Sequence, residues 1–447
     1  MKKFCLHFFL SQRLIAVLYF ILLASCSVQR QINKTGTTNI IDNAANELIN
    51  CQELSTAHVG IAVYDPSENK YLCNYQSDKY FTPASNTKII TCYTAMKYLG
   101  DSLVGLRVDD CQNTLLLYPT GDPTLLHSDF KTNPVVDFLK AQTSKLVYLK
   151  GKWEETALGQ GWAWDDYQDY YSMERSALPV YGNVVTVYGN NGSVAIQPAA
   201  CIKNFSNSYT DSALFISHIK RALNANEFVA DKYSKEESNP SIPFIVSDSL
   251  VLQILADTIH KEIYTLSDGW HAFPPIVASY KIHSQPTDSL LKIMMHRSDN
   301  FYAEQALLMV SDQELNVMSD EKIIDTLLKT DFKNMPQKPR WVDGSGLSRY
   351  NNFTPQDFVF VLDKMRKEFS WNRITSIFPT GGSGTDLTGK VYAKSGSMSN
   401  ITCLSGYIIT NKRKTLIFSV LVNNNMSTAT IMRKKIDAFL SSVINAY

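Results

Sequence analysis

Apolar residues gather into short β-prone runs towards both ends of the chain and into a helically spaced stripe beside each of them. Near the start, Val59 to Tyr64 and Tyr71 to Tyr75 flank the turn-rich pentad Asp65-Pro66-Ser67-Glu68-Asn69, an order that predicts a hairpin. After Pro83 the period changes. Ile89, Cys92, Tyr93, Met96 and Leu99 recur at helical spacing until Gly100 supplies a stop, which puts Ser85 and Lys88 in the first turn of the predicted helix. Towards the other end, Ile401 to Thr410 and Thr415 to Val422 predict a second hairpin across Asn411-Lys412-Arg413-Lys414. Ile431, Ile436, Phe439, Leu440 and Val443 then mark one stripe of a closing helix over 427–447. Strands at both ends with helices between them predict an α/β fold whose sheet is assembled from sequence-distant pieces.

At 447 residues the chain is long for one core, and a main domain with a large insertion is expected. Roughly 101 to 275 has mixed strand and loop character and is too long for a connection, so it reads as an inserted domain. Residues 27–100 and 276–447 then make the main domain. The polar stretch Lys232 to Pro240 reads as an exposed loop, and there is no solenoid repeat.

The first 26 residues read as an address. Lys2, Lys3 and Arg13 give a positive region, Leu14 to Leu23 an apolar one too short to span a bilayer, and Leu23-Ala24-Ser25-Cys26 resembles the lipobox at which bacterial lipoproteins are lipidated on the cysteine. Ser27 to Thr38 has the polar composition of a tether. These features predict a protein of the bacterial cell envelope, facing the periplasm, with Cys26 as its lipid anchor and no other membrane contact; a plain signal peptide with a chance cysteine is the alternative reading.

With 43 basic and 42 acidic side chains there is no global field to attract nucleic acid, so charge selectivity must be local. Six cysteines remain beside Cys5 and Cys26, namely Cys51, Cys73, Cys92, Cys111, Cys201 and Cys403. An exported protein allows disulfides among them without the sequence choosing a pairing. The chain has no Cys-x-x-Cys and no His-Glu-x-x-His, and neither a metal nor another cofactor is expected.

Three strings carry chemistry, in order: Ser85-Asn86-Thr87-Lys88, Ser298-Asp299-Asn300 and Lys394-Ser395-Gly396. A serine hydroxyl needs a base to become a nucleophile, and a lysine three residues on shares its helix face and can act once its pKa is lowered. Ser-x-x-Lys occurs five times here, so it is weak alone; the ordered triple is far stronger. Ser-Asp-Asn is also good helix-capping chemistry.

With these motifs the chain resembles the penicillin-binding D-Ala-D-Ala carboxypeptidases of the penicillin-binding-protein-4 type. Gly121-Asp122-Pro123-Thr124-Leu125, Asp343-Gly344-Ser345-Gly346-Leu347-Ser348-Arg349 and Gly384-Thr385 resemble further strings of that family. Ser395 stands where the family more often has threonine, and Asp386 interrupts a Gly-Thr-Leu string. The resemblance implies a penicillin-binding/β-lactamase-like domain, an antiparallel sheet flanked by helices, with a large insertion. It implies Ser85 as nucleophile and Lys88 as its base, Ser298 as proton relay to the leaving group, and Asn300 holding Lys88 and the substrate amide. Lys394 would offer a positive charge to the substrate carboxylate and keep Lys88 neutral by repulsion, and Ser395 would bond that carboxylate. The N–H groups of Ser85 and Ser397, across Gly396, would form the oxyanion hole. Trp162, Asp165 and Tyr170, with Arg349 and Met398, resemble a subsite for the free end of diaminopimelate. An exposed aromatic loop with solvated acids explains the segment equally well.

The expected substrate is thus the peptidoglycan stem peptide, with β-lactams as inhibitors and cleavage of cross-links as a possible second activity. A β-lactamase would need a water-activating Glu-x-x-Leu-Asn segment that is absent, and a Ser-His-Asp hydrolase a Gly-x-Ser-x-Gly elbow that is also absent. A lipid-anchored wall-binding protein without turnover is the remaining alternative.

Overall fold

Both terminal hairpins form, and they meet in one antiparallel sheet. In the computed structural model, which describes residues 36–190, 193–207, 214–265, 277–381 and 387–447, the strand order is Val391–Met398, Ile401–Ile409, Thr415–Asn423, His58–Asp65, Lys70–Tyr75. The leader over 1–26 with Cys26, and the Gly384-Thr385-Asp386 string, lie outside the described residues. Pairing of His58–Asp65 with Thr415–Asn423, in the register Ile61 to Val420, joins the two ends of the chain.

Leu416 to Val422 in the central strand Thr415–Asn423 is apolar except for the buried Ser419, because both faces of the sheet are covered. Leu416, Phe418, Val420 and Val422 pack against the closing helix Ala429–Ala446 and the helix Gly36–Ile49. Ile417 and Leu421 face the opposite core, shared with the helices Lys88–Tyr98, Asn300–Leu315 and Pro355–Glu368. Each such fully buried apolar side chain stabilises the fold by about 1.5–3 kcal/mol. The closing helix departs from its expected stripe at one position: Ile431 is 42% exposed, and Met432 packs inward instead. The Gly36–Ile49 helix overlaps the end of the expected tether, and its buried Ile41, Ala44, Ala45 and Leu48 account for it.

Two further sheets are built from residues 102–286. One has the order Ile263–Thr265, Lys145–Tyr148, Thr114–Pro119, Ser102–Asp110, Ala278–Pro286; the other runs Ser241–Pro243, Val184–Asn190, Phe215–Arg221, Phe228–Ser234, Phe205–Ser206, with Ser193–Gln197 beside Val184–Asn190. They share a core that includes Leu106, Leu117, Val185, Ile216, Phe228 and Leu255. The strands Ser102–Asp110 and Ala278–Pro286 pair antiparallel, Ser102 opposite Pro286. That pairing matters for the site. It brings the chain back to Thr287, whose N–H donates to the Asp101 carbonyl at 3.0 Å, so the helix carrying Ser298 starts where the one carrying Lys88 has just ended.

The six cysteines are free thiols, five of them buried, and burial pushes Cys73 and Cys403 up to about 12.

Candidate active site

Ser85 does not sit in an α-helix. Ala84–Thr87 forms a 3-10 turn and the α-helix begins at Lys88. The difference favours the pairing, since residues three apart eclipse in a 3-10 turn. Lys88 Nζ lies 3.0 Å from Ser85 Oγ, and it also donates to Asn300 Oδ1 at 2.6 Å and to the Ser345 carbonyl at 2.7 Å. All three donors of an ammonium, or two donors and the lone pair of an amine, are thereby accounted for.

Lys88 is fully buried, and burial lowers its pKa to about 8 although Asp343, Glu304 and Asp299 pull the other way. This corrects the expected cause, because repulsion from Lys394 is not what neutralises Lys88. The repulsion acts instead on Lys394, which is 1% exposed and held well below its ordinary value by burial first, then by the charges of Lys88 and Arg433.

The second motif reads both ways at once. Ser298 ends the helix Thr287–Arg297 in the left-handed region at φ 60°, and Asp299 caps the next helix by accepting from the Tyr302 N–H at 2.8 Å. The reversal points Ser298 Oγ at Lys394 Nζ, 2.8 Å away, and Asn300 Oδ1 at Lys88. A left-handed serine is strained by roughly 1–3 kcal/mol, and the cap and the lysine contact hold it there. Asn300 Nδ2 donates to the Tyr171 carbonyl at 2.9 Å, which ties the aromatic, acidic segment to the motif.

The third motif lies on the edge strand Val391–Met398. There Gly396 lets the strand touch the serine turn, since a Cβ would sit 2.7 Å from the Pro83 carbonyl oxygen and 3.1 Å from the N–H nitrogens of Ser85 and Asn86. Gly396→Ala is therefore expected to push the strand off the turn, costing about 1–3 kcal/mol in urea unfolding and slowing acylation of Ser85 disproportionately. A penicillin-labelling rate equal to wild type would show that the close approach is not needed.

The Asp343–Arg349 string is a turn built on a carboxylate. Asp343 accepts from the N–H groups of Gly346 and Ser348, from Asn351 Nδ2 and from Trp162 Nε1 at 2.6–3.0 Å. Gly346, at φ 83°, rests on the Ala84 carbonyl, leaving 2.0 Å for any Cβ. Ser345 is the consequential member: its carbonyl accepts from Lys88 and its N–H donates to Glu304 Oε1 at 2.7 Å. Glu304 is fully buried and raised to about 7, desolvation outweighing the charge of Arg175, which pairs with Glu304, Glu155 and Asp320 beneath the site. The Gly121–Leu125 string is structural: Asp122 accepts from Thr124, and the Gly121 carbonyl accepts from Gln305 at 2.7 Å on the Asn300–Leu315 helix.

A cleft of about 800 Å³ opens above these groups. Ser85, Ser298, Asn300, Ser395, Ser397 and Met398 line it, as do Asp165, Tyr170 and Arg349. Trp162 does not; its indole is turned to Asp343 and stacks near the Arg175 guanidinium, 5.7 Å from its centre. Lys88, Lys394 and Gly396 lie behind the lining. Three contributors carry no motif signal: the carbonyls of Tyr171 and Ser345, which no side-chain pattern encodes, and Arg433 of the closing helix, which donates to Ser397 Oγ at 3.0 Å.

An antiparallel sheet between helical layers, with a serine held against a buried lysine under its edge strand, defines a serine acyl-enzyme hydrolase of the penicillin-binding and β-lactamase class. The sequence profile of the D-Ala-D-Ala carboxypeptidase 3 (S13) family matches residues 41–443, and the chain belongs to that family of serine-type D-Ala-D-Ala carboxypeptidases. The D-alanyl-D-alanine carboxypeptidase DacB of Haemophilus influenzae is 22% identical over 428 residues, covering 85% of this chain and 88% of the relative. A penicillin-sensitive carboxypeptidase A of Dictyostelium discoideum is 22% identical over 435 residues, covering 81% and 82%. In structure, penicillin-binding protein 4 of Haemophilus influenzae shares the fold at a TM-score of 0.68 and 18% identity, covering 93% of this chain and 100% of that one.

Proposed function

We propose that this carboxypeptidase removes the terminal D-Ala of peptidoglycan stem peptides through an ester on Ser85, and that residues 101–275 are an insertion into the catalytic domain. The observation that carries the reading is the 3.0 Å contact between Ser85 Oγ and a lysine nitrogen sealed from solvent and held by Asn300 and Ser345.

Neutral Lys88 takes the Ser85 proton as the oxygen attacks the carbonyl of the penultimate D-Ala. The N–H groups of Ser85 and Ser397 receive the oxyanion, worth about 3 kcal/mol per donor. Ser298 passes its proton to the departing amine and is refilled from Lys394, which it bonds; when water then attacks the ester, the water proton returns through Ser298 to Lys394 and Lys88 gives its proton back to the released Ser85 oxygen. Lys394 acts through Ser298 in this scheme, since its nitrogen is bonded to Ser298 Oγ and the Ser395 carbonyl and it does not line the cleft. Ser395 faces the substrate carboxylate. Arg349 and Asp165 stand at the cleft wall, exposed, where they would pair with the carboxylate and ammonium of a diaminopimelate side chain, with Tyr170 and Met398 beside them. Trp162 supports the turn at Asp343 and reaches the substrate only through it.

Penicillins would form the same ester and leave slowly; a related structure, penicillin-binding protein 4 of Haemophilus influenzae, is complexed with a β-lactam. The envelope, reached through the leader and a lipid on Cys26, is where such substrates lie. Incubation with a fluorescent penicillin and with a diaminopimelate pentapeptide tests the reading. Stable labelling of Ser85 with D-Ala release supports it, fast antibiotic turnover replaces it with a β-lactamase, and labelling without release leaves a wall-binding protein.

A further inference from the structure

The helix Asn300–Leu315 carries Glu304 one turn beyond Asn300, buried under the serine and its lysine. Glu304 Oε1 accepts from the Ser345 N–H at 2.7 Å, and the carbonyl of that same residue accepts from Lys88 Nζ at 2.7 Å. A single residue therefore separates the carboxylate from the amine. The other oxygen, Oε2, is sealed, has no hydrogen bond among the described residues, and faces Arg175 Nη1 at 3.5 Å. Arg175 is already occupied: the same Nη1 is on Asp320, and Nη2 is on Glu155 at 3.0 Å. Glu155 is raised by desolvation first and then by its contact with Asp320, so a proton is kept between those two carboxylates. With Arg175 offsetting the charge they retain, Glu304 is a surplus negative charge beneath the site. A glutamine could accept from the Ser345 N–H without burying a charge, so what the carboxylate adds is the charge itself.

We propose that Glu304 is a positioning residue for acylation: through Ser345 it fixes Lys88 Nζ against Ser85 Oγ, and its charge balances the ammonium formed when Lys88 takes the serine proton. The role rests on the peptidase reading above. In that step the proton passes from Ser85 Oγ to Lys88 Nζ while the oxygen bonds the substrate carbonyl carbon, and a positive charge appears on a nitrogen that water does not reach. The other charges around Lys88 are Asp343, Asp299 and Lys394. Asp343 accepts four hydrogen bonds within its turn, from Gly346, Ser348, Asn351 and Trp162. Asp299 caps its helix and pairs with Arg297, and Lys394 repels. Glu304 keeps an oxygen free of hydrogen bonds, with its negative charge undivided. It is raised to about 7 while desolvation lowers Lys88 to about 8, so the carboxylate is ionised across the range in which Lys88 gives up its proton.

The test follows acylation of Ser85 by a fluorescent penicillin from pH about 6 to about 10 in the wild type, Glu304→Gln and Glu304→Asp. Glutamine keeps an acceptor for the Ser345 N–H and removes the charge. Lys88 then becomes a weaker base, and the midpoint of the profile is expected to fall by about one unit and its plateau by about three- to tenfold. The ratio of variant to wild-type rate consequently rises as pH falls, which a merely structural residue would not produce. Aspartate keeps the charge and draws the oxygen back by one methylene, so it should lower the plateau with the midpoint within about half a unit of wild type. Should the glutamine variant fail to accumulate, the aspartate profile decides alone, and a midpoint displaced by the full unit would overturn the inference. A glutamine variant slowed by the same factor at every pH, or matching the wild type throughout, would overturn it too, with the peptidase reading intact as long as wild-type Ser85 is labelled and D-Ala is released. An unlabelled Ser85 in the wild type would overturn both.

Discussion

Ser85→Ala is expected to eliminate acylation by penicillin and release of D-Ala together, with the variant folding as the wild type does. Ser85 is half-buried and its hydroxyl bonds only the Lys88 nitrogen, so the exchange leaves no sealed cavity and no buried acceptor without a donor. Removing the nucleophile of a covalent mechanism costs on the order of a million-fold in turnover. Intact-protein mass spectrometry after exposure to penicillin, alongside thermal unfolding, reads both parts. An adduct persisting in the variant would mean that another of the five Ser-x-x-Lys serines is the nucleophile.

Lys88→Met carries the next largest effect and separates activation from position. Methionine approximates the length of the lysine stem and removes the base, so acylation is expected to fall by about 100- to 10,000-fold. Two effects on stability oppose each other. The variant no longer buries an ionisable amine, but it strips donors from Asn300 Oδ1 and the Ser345 carbonyl, each loss worth about 1–3 kcal/mol. The kinetic signature is cleaner than the stability. Residual acylation in the variant should lose the pH dependence that Lys88 imposes, whereas a purely structural role would lower the rate at every pH and leave the profile in place.

The parts of this arrangement readable in the sequence are those governed by local rules. Tyr64 and Tyr71 sit either side of a turn-forming pentad, and the strands around them pair as expected; Leu416 to Val422 is apolar but for Ser419 and becomes the strand covered on both faces. The ordered motifs likewise name Ser85, Lys88, Ser298, Asn300 and Lys394, whose side chains do meet. What was not readable depends on groups without a side-chain signature or on packing at a distance. The Ser345 and Tyr171 carbonyls are backbone atoms, aimed by a turn around Asp343 and by the segment that follows Trp162. The source of the Lys88 shift is burial, a property of the assembled layers, whereas the motif charges by themselves point to Lys394. Arg433 occupies the polar side of a helix whose apolar stripe describes only its packing side, and it reaches the cleft because that helix covers the sheet next to Ser397.

Everything rests on a neutral amine at Lys88, and protonation reports on it directly. Lys88 is lowered to about 8, and only its unprotonated form can accept the serine proton, so activity is gained as pH rises through that value. The rate constant for acylation of Ser85 by a fluorescent penicillin, followed between pH about 6 and about 10, should climb nearly tenfold per unit on the acid side, bend close to 8, and level above it. A rate that is flat across that range, or that falls as pH rises through 8, would contradict the assignment of Lys88 as the base.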